Sequence, residues 1–261
     1  MTTNTSAIPT AIPTARRRFL AGACALACVA AAPQAGAWGW GSETVEGRGP
    51  VRRQERSVGR FDGLSVAVPG TVEVRTGNAE GVTIETEDNL LPLIETVVED
   101  RTLKIRARSR TNLRTRNLRI VVQVRELDRM TLAGSANVDI DAMRGQRVRF
   151  DIGGSGEIRV RRVEGGDLSV NLGGSGKLQA GDGSARKLSV SVAGSGNVDL
   201  GKVRTDTASV NVAGSGNARL WVRDALSLTV AGSGDVDYYG DPQVSKSVVG
   251  SGSLRRLGSA P

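Results

Sequence analysis

Side chains that commonly carry catalysis are scarce in this sequence. Histidine is absent from all 261 positions, which removes Ser-His-Asp and Cys-His catalysis. The two cysteines, Cys24 and Cys28, both fall in an apolar N-terminal run, so the usual zinc ligand sets are missing from the rest of the chain. Serine recurs instead, always between small residues. The phrase Gly134-Ser135-Ala136 is followed by Gly154-Ser155-Gly156, Gly174-Ser175-Gly176, Gly194-Ser195-Gly196, Gly214-Ser215-Gly216, Gly232-Ser233-Gly234 and Gly250-Ser251-Gly252. These serines do not form a Gly-x-Ser-x-Gly nucleophile elbow, because Glu157 stands where the last glycine belongs. Gly173-Gly174-Ser175-Gly176-Lys177 is not a phosphate loop either. Leu178 replaces the hydroxyl residue after the lysine, and Asn171 replaces the first glycine. Calcium-binding rolls need aspartate two residues after a glycine, where this chain has Ile158, Leu178 or Val198. The motifs therefore predict no cofactor and no metal.

The spacing of the serines is more informative than their chemistry. Steps between first glycines are 20, 20, 20, 20, 18 and 18 residues, a period that marks a solenoid or array. Flanking residues alternate in phase from copy to copy. Val148, Phe150 and Ile152 recur as Leu168, Val170 and Leu172, then as Leu188, Val190 and Val192. After the phrase, Val138 and Ile140 recur as Ile158 and Val160, and later as Val198 and Leu200. Period-two alternation is a strand with one face in a core. Each copy reads as strand, tight corner, strand and variable return. Copies in constant order pair in parallel, with about 4.8 Å between coils. The expected fold is all-β, a parallel β-solenoid of about seven coils, right-handed under the crossover rule, with an irregular N-terminal β cap. The corner serines are expected to stack as a hydroxyl ladder.

In such a stack, residues at equivalent positions form columns. One outward column after the corner reads Asp139, Arg159, Gln179, Asp199, Arg219, Asp237; its neighbour reads Asn137, Glu157, Lys177, Asn197, Asn217, Asp235. Opposite charges on adjacent coils support register. Asp199, Asp235, Asp237 and Arg219 are the residues a polysaccharide lyase or hydrolase would use, and they form the enzymatic alternative. Before the corner the outward residues are small and uncharged: Ser169, Asn171, Ser189, Ser191, Ser209, Asn211, Ser227 and Thr229. This flat array is the candidate interaction face, since repeat proteins bind through extended faces.

Residues 1–37 read as an export signal. Arg16-Arg17-Arg18-Phe19-Leu20 precedes the apolar run 21–32, and Ala35-Gly36-Ala37 offers a cleavage site before Trp38. Arg16, Arg17, Phe19 and Leu20 resemble a twin-arginine motif, with an ordinary secretory signal as the alternative. The run is too short to span a membrane. Cleavage would remove both cysteines and three arginines, taking the net charge from +8 to +5. Residues 38–57 read as a flexible leader, 58–127 as the β cap with a turn capped by Asp88, and 128–261 as the solenoid, continuous with the cap. The cap carries an arginine-rich segment at 101–125, expected to be a solvated charged hairpin. Aromatic residues are only 3% of the chain, which argues against base-stacking nucleic-acid binding and against the extended stacking platforms of many sugar binders.

Arg60-Phe61-Asp62-Gly63-Leu64, Asp88-Asn89-Leu90-Leu91, Leu103-Lys104-Ile105, the Gly-Ser-Gly ladder and Tyr238-Tyr239-Gly240-Asp241-Pro242 occur together in this order. In this combination the chain resembles the head-GIN-domain family, labelled auto-transporter adhesins and otherwise a domain of unknown function. The resemblance runs from about Val58 to Leu257. It implies an exported bacterial β-solenoid and transfers no catalytic residues; no membrane β-barrel follows the rod in this sequence. The expected function is a non-enzymatic adhesin-like or structural scaffold, exported to the periplasm or cell surface. Its partner would be an envelope component, a glycan or a protein. Self-association is a further alternative, because few residues follow the last copy to cover its edge.

Overall fold

The computed structural model describes residues 43–261. The export motif (Arg16, Arg17, Phe19, Leu20) and the cleavage residues (Ala35, Ala37, Trp38) lie outside the described residues. The described chain begins with β1 (Glu43–Glu46) and β2 (Val51–Arg56), two strands inside the stretch expected to be a flexible leader. Next, β3 (Gly63–Ala67) and β4 (Thr71–Thr76) form two sides of one coil around a corner at Gly70, whose φ is 101°. Then follow β5 (Gly81–Glu87), a single 3-10 turn at Leu91–Leu93, β6 (Ile94–Glu99), β7 (Thr102–Ala107), β8 (Thr111–Arg114) and β9 (Arg119–Val124). Asp88 does not cap the turn. Leu90 takes that position without a side-chain bond, while the Asp88 N–H donates to Pro50 and fixes the entry of β2.

β7 lies parallel to β3 and β9 parallel to β4, so together they make a coil outside the first. The arginine-rich segment is therefore two sides of a coil, and not a hairpin; β8 between them pairs with β1. Its arginines meet acids of the cap, as in Arg101–Asp62, Arg106–Glu95 and Arg125–Glu80. β6 and β5 fold back antiparallel on β7 and β9, and β2 adds antiparallel to β5. Antiparallel strands thus cover this end of the parallel stack. Cross-over back to the other side of β3 is secured at Asp62, whose carbonyl accepts the N–H groups of Asp128 (3.0 Å) and Arg129 (3.3 Å).

From here the coils follow in sequence order. β10 (Arg129–Gly134) pairs with β3, and β11 (Asn137–Gly154) begins on β4. β12 (Glu157–Gly174), β13 (Lys177–Ala180), β14 (Gly183–Gly194), β15 (Asn197–Gly214) and β16 (Asn217–Gly232) stack on them in parallel. β17 (Val236–Tyr239), β18 (Gln243–Gly250) and β19 (Leu254–Gly258) end the stack. Seven corners in register bound six complete turns of parallel β-solenoid. The variable return is itself strand: β11, β12 and β15 run unbroken from one corner to the next. Met143, Val163 and Val203 close this third side on their coils; on the coil between the last two that position is Gly183, and Ala185 is the buried residue. Fully burying a methionine or valine side chain contributes roughly 1.5–3 kcal/mol.

The corners stack through main chain. The N–H of Ser155 donates to Gly134 O, Ser175 to Gly154, Ser195 to Gly174 and Ser215 to Gly194, all at 2.9–3.0 Å. The corners do form a ladder, but of serine N–H groups and not of the expected hydroxyls, and the serine residues are exposed. Gly194 has φ 122°, and a Cβ there would lie 2.5 Å from Gly174 O. Gly134 has φ 114° with nothing within 4 Å of that position.

Two carboxylates in and beside the cap have pKa values shifted in opposite directions. Glu87 is 7% exposed and accepts from Thr86 Oγ1 (2.9 Å), Thr115 Oγ1 (2.7 Å) and Asn117 Nδ2 (2.9 Å). Burial alone would raise its pKa, but these donors outweigh burial and hold it below the usual carboxylate range. Asp128 is pushed up, first by burial and then by the charge of Asp62. One oxygen of each of these aspartates is buried without a hydrogen-bond partner.

At the other end, β18 pairs with β16 on one side and has no strand on its outer side among the described residues. The inward column Phe150, Val170, Val190, Val210, Leu228 ends there in Lys246, which is exposed. An inward-directed charge on an edge strand opposes further stacking.

Three outcomes follow from this packing. Gly194→Ala should cost about 1–3 kcal/mol more than Gly134→Ala in urea unfolding, because only the former adds a clash to the unfavourable φ. Equal costs would refute the close-approach account. Glu87→Gln should lose about 1–3 kcal/mol at pH 7. The folded pKa of Glu87 is depressed, so its contribution is complete above the unfolded value of about 4.3 and disappears as pH falls through the folded value. The difference from wild type should therefore shrink in acid unfolding series; a gap independent of pH would contradict it. Lys246→Ile should raise end-to-end association in sedimentation velocity, while wild type at the same concentration sediments as the smaller species.

Candidate binding faces

The face before the corner collects the predicted interaction residues in two straight columns. Ser169, Ser189, Ser209 and Ser227 are register partners on β12, β14, β15 and β16, and so are Asn171, Ser191, Asn211 and Thr229. Side chains in one column stand a single coil apart, about 4.8 Å. Ser169, Asn171, Ser189 and Ser209 are half-buried; the other four are exposed. Toward the cap the same columns become charged at Arg149 and Asp151. Asp151 closes the array: its carboxylate accepts from Arg149 Nε (2.6 Å) and Asn171 Nδ2 (2.8 Å). Burial opposes ionisation of Asp151, but these bonds prevail and hold its pKa below the ordinary value.

A third column on this face escaped sequence reasoning. Ala133, Gly153, Gly173, Ala193, Ala213 and Ala231 stack directly before the corners, all exposed and all without bulk. Their small size opens a shallow groove of about 390 Å³ between Thr131 and Ala193, lined by Asp151, Asn171 and Ser191. The signal was present as an alanine or glycine before each of the first six corner glycines, Gly134 to Gly232, but it reads as part of the turn.

The face after the corner is of the opposite kind. Arg159 meets Asp139 (3.8 Å) and, on its own strand, Glu157 (2.6 Å). Glu157 and Lys177 are register partners, yet the carboxylate goes to Arg159. A groove of about 450 Å³ crosses this face, lined by Glu73, Arg75, Asp139, Asp141, Arg159 and Arg161. Glu73 is held below its usual range by hydrogen bonds from Arg75 and Arg119.

The residues of the enzymatic alternative come together on this face but engage one another. Arg219 lies between Asp199 (3.4 Å) and Asp237 (3.9 Å). Asp237 is gripped from the next coil by Arg255 through two bonds of 3.0 Å. Asp235 Oδ1 accepts from the Ser253 N–H (3.0 Å) and hydroxyl (2.6 Å), and Asp199 Oδ1 accepts from the Gly201 N–H (3.1 Å). Acid–base hydrolysis needs one carboxyl group kept protonated opposite a second, free carboxylate. This arrangement instead ties each carboxylate into the stack. No cluster of three or more metal-ligating side chains occurs among the described residues.

Several solved structures share this fold. One is described as a putative adhesin from Bacteroides fragilis, with a TM-score of 0.77 and 20% identity, covering 82% of this chain and 100% of that chain. A second is described as a putative lipid binding protein from Parabacteroides distasonis, with a TM-score of 0.68, 25% identity and the same coverage. A third, described as a putative adhesin from Parabacteroides merdae, has a TM-score of 0.64 and 18% identity over 82% of this chain and 99% of that one. No curated protein matches the chain. Residues 60–242 match the family described as "Putative auto-transporter adhesin, head GIN domain", and this chain belongs to that family.

Proposed function

We propose that this protein is a non-enzymatic, adhesin-like scaffold, exported to the bacterial envelope or cell surface, that binds its partner through the face before the corners. The observation that carries this reading is the uncharged Ser/Asn/Thr array, in register over β12, β14, β15 and β16 beside an Ala/Gly-floored groove. Such a surface offers hydroxyl and amide hydrogen bonds on a rigid lattice without the desolvation cost of fixed charges. The family description and the adhesin names of similar structures agree with it. The neutralised carboxylates of the opposite face favour binding over hydrolysis. No helix among the described residues is long and apolar enough to cross a membrane.

One observation favours a narrower variant. The groove floor of Gly153, Gly173 and Ala193 is apolar, and the solved structure at 25% identity is described as a putative lipid binding protein. Cosedimentation with envelope-lipid vesicles separates a lipid partner from a glycan or protein one.

The double substitution Ser189→Arg/Ser209→Arg places bulk and charge in mid-array while leaving the inward residues untouched. Cells displaying the protein should lose adherence to envelope or host-matrix surfaces at least about tenfold, as expected when a docking centre is blocked. Circular dichroism and the unfolding midpoint should stay at wild-type values. Undiminished adherence by the correctly folded variant would sink the assignment of this face. Protease treatment of intact cells tests the location: full protection of the domain excludes a surface adhesin.

A further inference from the structure

The described chain has five aromatic side chains, and they are not scattered. Phe61 and Phe150 are buried in the core. The three that reach solvent, Trp221, Tyr238 and Tyr239, lie on adjacent coils, on β16 and β17. Trp221 and Tyr239 are register partners, so their side chains leave the same side of the sheet one coil apart.

The cluster coincides with a break in the repeat. Leu200 pairs with Leu220, but the next pair is Arg204 with Trp221, so residues 201–203 have no counterparts on β16. Here the period falls from 20 to 18 residues, with the register shift directly beside Trp221. The Trp221 main chain is pinned there by the Thr205 hydroxyl, which donates to its carbonyl (2.9 Å). Polar groups border the aromatic pair. Arg204 is exposed in the same column, and two residues along on the same side Arg223 bridges Asp206 (3.3 Å) and Asp224 (2.7 Å).

We propose that Trp221 and Tyr239 form a stacking platform for a β-linked hexopyranose of a glycan. A pyranose with equatorial hydroxyls has an apolar C–H face that packs on aromatic rings. Its hydroxyl rim both donates and accepts hydrogen bonds, which suits the Arg223–Asp206 pair and Arg204. A site of this kind combines aromatic surface with a few placed polar groups. It lies apart from the Ser/Asn/Thr array and does not depend on it.

Affinity electrophoresis in gels containing soluble β-glucan tests the assignment, with dextran and polygalacturonate gels in parallel. Wild type should be retarded by β-glucan, and retardation should persist in high salt. Trp221→Ala and Tyr239→Ala should each weaken binding about tenfold, as for loss of a stacked ring. Tyr239→Phe keeps the ring and should retain wild-type retardation. Ser189→Arg/Ser209→Arg should also bind normally, so this site and the proposed docking face fail separately. If Trp221→Ala does not fold, Tyr239→Ala and Tyr239→Phe decide the matter. Absence of retardation by β-glucan overturns the proposal. So does retardation only by polygalacturonate that salt abolishes, or wild-type binding by folded Tyr239→Ala.

Discussion

The approach of main chain to main chain at the corners is the constraint on which the rest of the structure depends. Each serine N–H reaches the carbonyl of the glycine one coil below, and a Cβ on the glycine at Gly154, Gly174, Gly194 or Gly214 would lie 2.5–2.6 Å from that same carbonyl line. The third residue is confined on its inner side as well. A Cβ on Gly196 would fall 2.1 Å from Leu172 Cδ2 and 2.7 Å from Gly176 O. Ala136 stands in the first copy above the Pro69-Gly70 corner, where the positive φ falls at Gly70 and not at the first corner residue as in the Gly-Ser-Gly copies. Once the corners are fixed in register, the flanking strands have no freedom to slip. A one-residue slip would turn every apolar column out to water.

This explains why much of the fold was legible. A backbone that excludes Cβ atoms leaves glycine in the sequence at every turn, and a two-sided strand leaves period-two alternation. The third side was not legible, because one inward residue per coil, such as Met143 or Val163, is lost among Arg161, Arg162 and Glu164. Coil order in the cap was hidden for a different reason. Leu64 and Val66 of β3 alternate just as Leu103 and Ile105 of β7 do, and nothing local says that the later segment lies outside the earlier one. β1 and β2 were missed because their residues are mostly exposed and polar; their order comes from pairing with β8 and β5.

The two ends of the stack are closed by different means. At the cap, antiparallel strands use up the hydrogen-bonding edge of the outer coil, and buried Glu87 draws Thr86, Thr115 and Asn117 around one carboxylate. At β18 the edge is defended by chemistry: Lys246 occupies a column that is apolar in every preceding coil, from Leu103, Leu64 and Met130 through Phe150 to Leu228. Alternation alone places a core residue at position 246. The lysine is intelligible only from its position at the edge.

Parallel stacking in register also restricts what an outer face can display. Identical residues fall about 4.8 Å apart along a column, so a column of like charge would repel itself at every step. Two solutions remain, and this molecule uses one on each side of the corner. After the corner, acid and base alternate, as in Asp199–Arg219–Asp237–Arg255, and the charges are consumed by their neighbours. Before the corner, charge is omitted over four coils, leaving exposed or half-buried serine, asparagine and threonine, with Asn171 donating to Asp151 at the end of the array. The neutral face is one of the two arrangements that the repeat geometry permits. What geometry does not require is the Ala/Gly column beside it. An outward position tolerates any side chain that does not repel its copies, yet six successive coils keep theirs to a methyl group or less. The groove maintained in this way is the feature on which the proposed docking surface rests beyond the neutral array.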